Sequence, residues 1–216
     1  YFDKSRMEIT DTAANRGDPW YVSNGLLVVE LMSGQLQTGH NRFENRSPAN
    51  VNVAGDVSDP NGVTYATMAS LRVPYSGPEP APLTWTIDGQ GNVGTDARYA
   101  AYDIGVTWFE PATGHWVAEP FWEFMTSTGM VWEDERYTTE ALFADPFYAT
   151  GLPITEAYWT QVLLEGQLED VLLQCFERRC LTYTPTNDPG WEVEAGNVGL
   201  HYYIWRYGEP PPKPVG

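Results

Sequence analysis

An α+β fold, with short antiparallel strands, hairpins and several short helices, is predicted by three observations. Prolines and glycines punctuate the whole chain, with 17 and 20 copies in 216 residues, which favours many short elements over long ones. Four stretches read as short helices and five as strands, a mixture of both kinds of element in one chain. Nine Trp, thirteen Tyr and eight Phe supply the large apolar side chains that disordered chains lack. The length suffices for one or two domains with a substantial core.

Four helices are expected. Leu26–Ser33 lies between Asn24 as cap and Gly34 as terminator. Pro120–Thr126 carries proline in its first turn. Thr155 can cap a helix through Val162, with Ile154 and Trp159 placed as a hydrophobic staple. Ala195–Tyr207 sets Leu200, Tyr203, Ile204 and Tyr207 on one face, with Asn197 as cap and Gly208 as stop. Strands are expected at Tyr1–Thr10, Leu83–Ile87, Ile104–Phe109, Thr160–Leu164 and Val171–Thr184, the last two joined by a turn at Glu165-Gly166-Gln167. Breaker-rich stretches at 45–62 and 74–82 delimit an N-terminal strand-loop-helix unit (1–44), a central loop-rich, β-containing insertion (45–118) and a C-terminal repeat unit (119–208). A Pro-rich tail (209–216) leaves what is expected to be one compact body.

The N-terminal and C-terminal units are related. Tyr1-Phe2-Asp3-Lys4-Ser5-Arg6-Met7-Glu8-Ile9-Thr10 aligns with Cys175-Phe176-Glu177-Arg178-Arg179-Cys180-Leu181-Thr182-Tyr183-Thr184. Asp18-Pro19-Trp20 then parallels Asp188-Pro189-Gly190-Trp191, and each leads into an expected helix. The equivalence places Trp20 and Trp191 against the helix that follows each. Cys175 and Cys180 are the only cysteines. On one regular strand they would point to opposite faces about 16–17 Å apart. A disulfide needs Cα atoms within about 7 Å, so both read as small apolar residues unless the chain bends sharply between them.

Phe121-Trp122, Gly151-Leu152-Pro153-Ile154-Thr155, Gln174-Cys175-Phe176-Glu177-Arg178 and Tyr183-Thr184-Pro185-Thr186-Asn187 follow one another in an order with a parallel elsewhere. It resembles a repeat of exported proteins from thermophilic Chloroflexota-type bacteria, with the pattern Gly-x-Pro-Ile-Thr, Gln-x-Phe-Glu-Arg and Tyr-x-Pro-x-Asn. The likeness covers about 121–207 and part of 1–34, and leaves 45–118 outside. It departs at Cys175 and Cys180, where apolar residues are commoner in the family. What it implies is export and surface association, not a reaction.

The net charge of −17 repels a polyanion, and no basic stripe offsets it, so nucleic acid is excluded as a partner. No apolar run is long enough to insert into a membrane as a spanning helix. The first residue is Tyr, so either an export signal has been removed or the sequence is truncated. His40, His115 and His201 are scattered, without zinc-ligand spacing, and His201 reads as a hydrogen-bonded core residue. Asp56, Ser58, Asp59 and Asn61 crowd a Gly-ended loop that could hold calcium, against the simpler reading of an Asx turn. No other cofactor is suggested. Gly89-Gln90-Gly91-Asn92-Val93-Gly94 follows a short polar strand without a βαβ frame and reads as a hairpin loop. No Gly-x-Ser-x-Gly nucleophile motif is present.

Trp116, Trp122 and Trp132 lie near Glu119, Glu123 and Glu133-Asp134-Glu135, the ingredients of a carbohydrate-binding or glycan-cleaving site. Residues 131–170 hold nine acids and one base, a solvated and strongly anionic stretch. The expected function is a non-enzymatic, extracellular or cell-surface protein with a structural or adhesive role, its partner either itself or a cell-surface glycan. Self-assembly would use the strand edge at Tyr1, Phe2 and Met7 or the arm at Pro210, Pro211 and Pro212. The competing reading is a carbohydrate domain using 116–132.

Overall fold

The computed structural model describes residues 2–211 except 10, 40, 144 and 165. The chain is α+β. In order, it forms β1 (Met7–Glu8), β2 (Ser23–Asn24), α1 (Leu27–Ser33), β3 (Gln35–Gly39), β4 (Arg42–Asn45) and α2 (Tyr65–Met68). It continues with β5 (Trp85–Ile87), β6 (Val93–Thr95), a 3-10 turn at Ala97–Tyr102, β7 (Val106–Glu110), β8 (His115–Ala118) and α3 (Glu119–Met125). The last third is β9 (Thr128–Glu133), β10 (Arg136–Ala141), β11 (Tyr158–Leu164), β12 (Gln167–Cys175), β13 (Cys180–Tyr183), β14 (Val193–Ala195) and α4 (Val198–Tyr207).

A six-stranded sheet in the order β14-β13-β12-β11-β5-β6 forms the centre. Neighbours are antiparallel except β11 and β5, which run parallel and pair at the single position Trp159↔Thr86. Because side chains alternate across a strand, β12 sends Leu173 and Cys175 to one face and Leu172 to the other. The first face packs with Leu27, Leu31, Val198 and Tyr202 of α1 and α4. The second packs with Phe121 and Met125 of α3 and with Trp159 and Tyr99. Both faces are covered, which is why Val171–Cys175 is buried continuously rather than alternately.

The two related units make equivalent bonds. The Phe2 N–H donates to the Ser5 carbonyl at 3.0 Å, and the Phe176 N–H to the Arg179 carbonyl at 2.8 Å. Met7 pairs with Asn24 as Leu181 pairs with Ala195. Gly25 N–H reaches the Arg6 carbonyl as Gly196 N–H reaches that of Cys180. The units then exchange caps. Val29, in the first turn of α1, donates its N–H to the Glu177 carbonyl at 3.3 Å, and Leu200, in the first turn of α4, donates to the Asp3 carbonyl at 3.1 Å. Neither helix has a side-chain cap, so the turn of the opposite unit satisfies an N–H that would otherwise lack a partner. Between the helices, buried Glu30 accepts from Arg6 Nη2, from the Tyr202 hydroxyl and from the Gln37 N–H. Burial opposes the Arg6 charge, but the Glu30 bond and charge outweigh it and raise its pKa.

Several expectations are corrected. Val171–Thr184 is not one strand. A tight turn at Phe176–Arg179 folds it into β12 and β13, setting Cys175 opposite Cys180 with 4.0 Å between Cα atoms, and the two form a disulfide. Thr155 caps no helix; Thr155–Ala157 is buried, extended chain leading into β11, and the Thr155 hydroxyl accepts the Cys175 N–H. Within Tyr1–Thr10 only Met7–Glu8 is a strand, since Phe2–Ser5 closes a turn; Tyr1 and Thr10 lie outside the described residues. Asn24 gives α1 no cap, its amide pointing to the Tyr148 carbonyl, and Asn197 accepts from Lys4 instead of capping α4. Trp20 and Trp191 are 44% and 72% exposed; the Trp20 ring meets Tyr148 at 5.2 Å and lies under Arg178. The other helices, the β11–β12 hairpin and the loop between β5 and β6 stand where expected.

The exchanged caps lead to a stability test. A Cβ added at Gly199 would collide with the Phe2 carbonyl oxygen. Helical Gly→Ala ordinarily gains about 0.5–1 kcal/mol, but here Gly199→Ala should destabilise by about 1–3 kcal/mol through overpacking. Gly105→Ala, with nothing within 4 Å of the new atom, should change stability by less than about 0.5 kcal/mol. Urea unfolding of both variants provides the check. The disulfide should also show as an intact mass about 2 Da below that of the reduced chain, for the two hydrogens lost.

Candidate functional site

The expected tryptophan site is not assembled. Trp116, on β8, is half-buried against Phe109 at 5.0 Å, and its N–H is held by Glu156. Trp122, on α3, stacks on Trp108 at 4.8 Å with the ring planes 4° apart, and leans on Phe147. Trp132 stands apart on β9 and meets Tyr137 edge-on at 4.7 Å. No ring contact among the described residues joins any two of the three.

Trp132 belongs to a projecting arm. Among the described residues β9 and β10 pair only with each other, through the register Trp132↔Tyr137 and Met130↔Thr139, and turn at Asp134-Glu135, both with positive φ (48° and 60°). That conformation matches the mirror-image turn that two-residue hairpins prefer; Asp134 suits its first position, while Glu135 stands where glycine is favoured. One face carries Met130, Trp132 and Tyr137, which are 76%, 62% and 70% exposed.

A second feature is a cleft of about 790 Å³ where β5 and β6 diverge from β11. Pairing between β11 and β5 ends after one residue pair, so the strands open around a polar gap. Arg98 forms one wall, bound to Asp96 and to Asp170, each at 2.9 Å. Asp170 Oδ1 also accepts from the Tyr99 hydroxyl at 3.0 Å and from Gln161 Nε2 at 3.2 Å. Arg98 lies over the Tyr99 ring, which stacks on Trp159 at 4.5 Å, and Tyr102 also stacks on that indole at 4.9 Å. Burial first, then the Asp170 bond, pushes the Tyr99 phenol up to about 12, so it remains a donor at neutral pH.

Of the calcium candidates, Asp59 and Asn61 line this cleft, while Asp56 and Ser58 do not. Asp59 Oδ1 accepts the Asn61 N–H, an Asx turn, while the Asn52 amide bonds the carbonyls of Asp56 and Asp59. Ser58 lies in the same loop, which Asp56 ties to β11 by donating its N–H to the Leu163 carbonyl. Among the described residues no group of three or more His, Cys, Asp or Glu is arranged to hold a metal ion. Phe2, Met7, Pro210 and Pro211 are exposed; Tyr1, Pro212 and His40 lie outside the described residues. No helix among those residues is long and apolar enough to cross a membrane.

The sequence reading missed a buried pair. His115 Nδ1 and Glu156 Oε1 are 3.0 Å apart, and Glu156 also accepts the Trp116 N–H. A signal existed in the tripeptide Thr-Gly-His, which occurs at 38–40 and again at 113–115. The second copy places Gly114, at φ 74°, before β8 and His115 at its start. No protein-family model, curated protein or solved structure matches the chain, so its own residues carry the functional reading.

His201 gives a pH test. It is buried in the core with Nδ1 2.9 Å from the Tyr65 hydroxyl, and burial first, then the Lys4 charge, lowers its pKa to about 4. The unfolded chain binds this proton below about pH 6.5 while the folded one does not. Stability should therefore fall as pH drops from about 6.5 to 4, by up to about 3 kcal/mol from this group, and be unaffected by it above that window. Thermal unfolding of wild type and His201→Gln across pH 4–7 should show a shallower decline in the variant.

Proposed function

We propose that this chain is a module of an exported, cell-surface protein with a non-enzymatic, structural or adhesive role, and that it associates with further copies of itself through the β9–β10 arm. The observation that carries the reading is the arm's apolar face. Soluble chains rarely hold Met, Trp and Tyr side by side in water without a partner surface. The opposing surface on a neighbour would be the N-terminal unit, where Phe2, Met7 and Ile9 are all exposed. Such a contact joins different surfaces of the two copies, so it can propagate into a filament. Support for export comes from the buried Cys175–Cys180 disulfide, since such bonds persist mainly in oxidising compartments. The net charge of −17 opposes nucleic acid and keeps copies apart at low ionic strength.

The arm suits a protein surface better than a sugar. Its rings meet at 64°, so they offer no flat platform for a pyranose face, and the Trp108–Trp122 stack is engaged in its own packing. Association should strengthen with salt, because screening weakens repulsion between acidic copies while leaving apolar contact intact. Sedimentation over rising protein concentration at physiological salt should show growing assemblies for wild type and only monomer for Trp132→Ser combined with Tyr137→Ser. A wild-type chain that stays monomeric at every concentration and salt level would sink the proposal.

A further inference from the structure

We propose that the cleft between β11 and the β5–β6 hairpin binds a neutral, hydroxyl-rich ligand, a short stretch of uncharged polysaccharide. The site is separate from the arm and goes beyond an adhesive contact between copies. Its volume of about 790 Å³ falls within the range of small-molecule pockets. The chemistry of its walls selects the ligand class by elimination.

An anion is disfavoured. Asp59, Asp88 and Asp96 line the cleft, and the cation among its lining residues, Arg98, already bridges Asp96 and Asp170. A metal cation fares little better, because the carboxylates are occupied. Asp88 accepts the N–H groups of Gln90 and Asn92 and the Asn92 side-chain amide. Asp59 accepts from Asn61, and Asp96 from the Arg98 N–H and guanidinium. A wholly apolar ligand would strand these groups without water.

A sugar hydroxyl both donates and accepts, and so matches a wall of mixed amides, hydroxyls and engaged carboxylates. Gln90 and Gln161 are exposed and Thr86 and Thr160 add hydroxyls within the lining, while Val93 and Leu168 stand exposed at the edge where the C–H face of a sugar ring could rest. The Arg98–Tyr99–Trp159–Tyr102 stack fixes the wall before any ligand arrives, which lowers the ordering cost of binding.

The test is amide chemical-shift titration of the whole chain with four neutral probes: cellohexaose, xylohexaose, mannohexaose and chitohexaose. Hexagalacturonate and calcium chloride serve as the charged comparisons. At least one neutral probe should shift the amides of Gln90, Asn92 and Gln161 saturably. Gln161→Ala, which removes an exposed amide, should weaken binding about tenfold, the loss expected for one polar contact, and Leu168→Ser, which removes the apolar rest for the ring, should weaken it as well. The same spectra report whether each variant is folded. Trp132→Ser with Tyr137→Ser should bind the probe as wild type does, so failure of the arm and failure of the cleft read out separately. The proposal is overturned if no neutral probe saturates, if hexagalacturonate or calcium is preferred at these amides, or if both cleft variants bind unchanged.

Discussion

The fold depends on two backbone hydrogen bonds that cross between its ends. Val29 N–H takes the Glu177 carbonyl, and Leu200 N–H takes the Asp3 carbonyl. Helices of seven and ten residues are too short to persist alone, and neither has a side-chain cap. Each begins where the other unit's turn places a carbonyl, so residues 2–5 and 176–179 help to start helices that are distant from them in sequence. The same junction buries Glu30 with Arg6 and Tyr202. A buried carboxylate is tolerable only when its lone pairs are satisfied, and these partners come from both ends of the chain. The ends therefore have to meet before either unit is complete, a long-range requirement that implies slower folding than a helical bundle of this size.

The Phe176–Arg179 turn bears on more than α1. Its base is closed by the disulfide, and its backbone reaches Thr150 and Leu152 through the N–H groups of Arg178 and Glu177. One residue earlier in β12, the Gln174 side chain donates to the carbonyls of Trp116 and Thr155 and accepts the Ala118 N–H. That amide binds β8 to the central sheet much as Glu156 does from β11's approach, through His115 and the Trp116 N–H. A short polar sequence around the cysteines thus positions the helical layer on one face and the β7–β8 and α3 layer on the other.

What was legible in the sequence follows from range. Helices ending at Gly34 and Gly208 were readable because a left-handed glycine is a local requirement, met at φ 73° and 80°. The β5–β6 loop was readable because Asp88 and Gly91 serve their own turn. The related units were readable because six of ten aligned positions keep similar side chains, among them Phe2 with Phe176 and Thr10 with Thr184. Their exchange of caps was not, since a carbonyl carries no sequence signal and both Asn24 and Asn197 resembled ordinary caps. The disulfide was missed for a similar reason: the bend depends on Phe176 and Arg179 bonding through their backbones, while Phe-Glu-Arg-Arg lacks the Gly or Asn that marks a turn. Trp20 and Trp191 misled because alignment preserves position in the chain, not the direction of a loop. The cleft was hidden altogether, being produced by the divergence of two strands whose contact is one residue pair.

Nearly every short element here is bound to a distant one: β1 to β2 across the Asp-Pro loop, α1 and α4 to the opposite turns, β5 to β11. The β9–β10 arm pairs only with itself among the described residues, as the β3–β4 and β7–β8 hairpins do, but those two pack against α1 and α3. Two-stranded hairpins are marginal in water unless a face is packed. This one keeps Met130, Trp132 and Tyr137 in solvent and turns through two acidic residues with positive φ, all of which cost free energy in the isolated chain. A charged side chain on such a face would discourage association, and the chain has acid to spare: the acids gather at the tip, at Glu133, Asp134 and Glu135, and leave the face apolar. Charge at the tip with an apolar flank sets how the arm can dock. It admits a surface along the face and repels one that is acidic end-on, so the proposed contact between copies of the same net charge would have to run along the flank rather than through the tip.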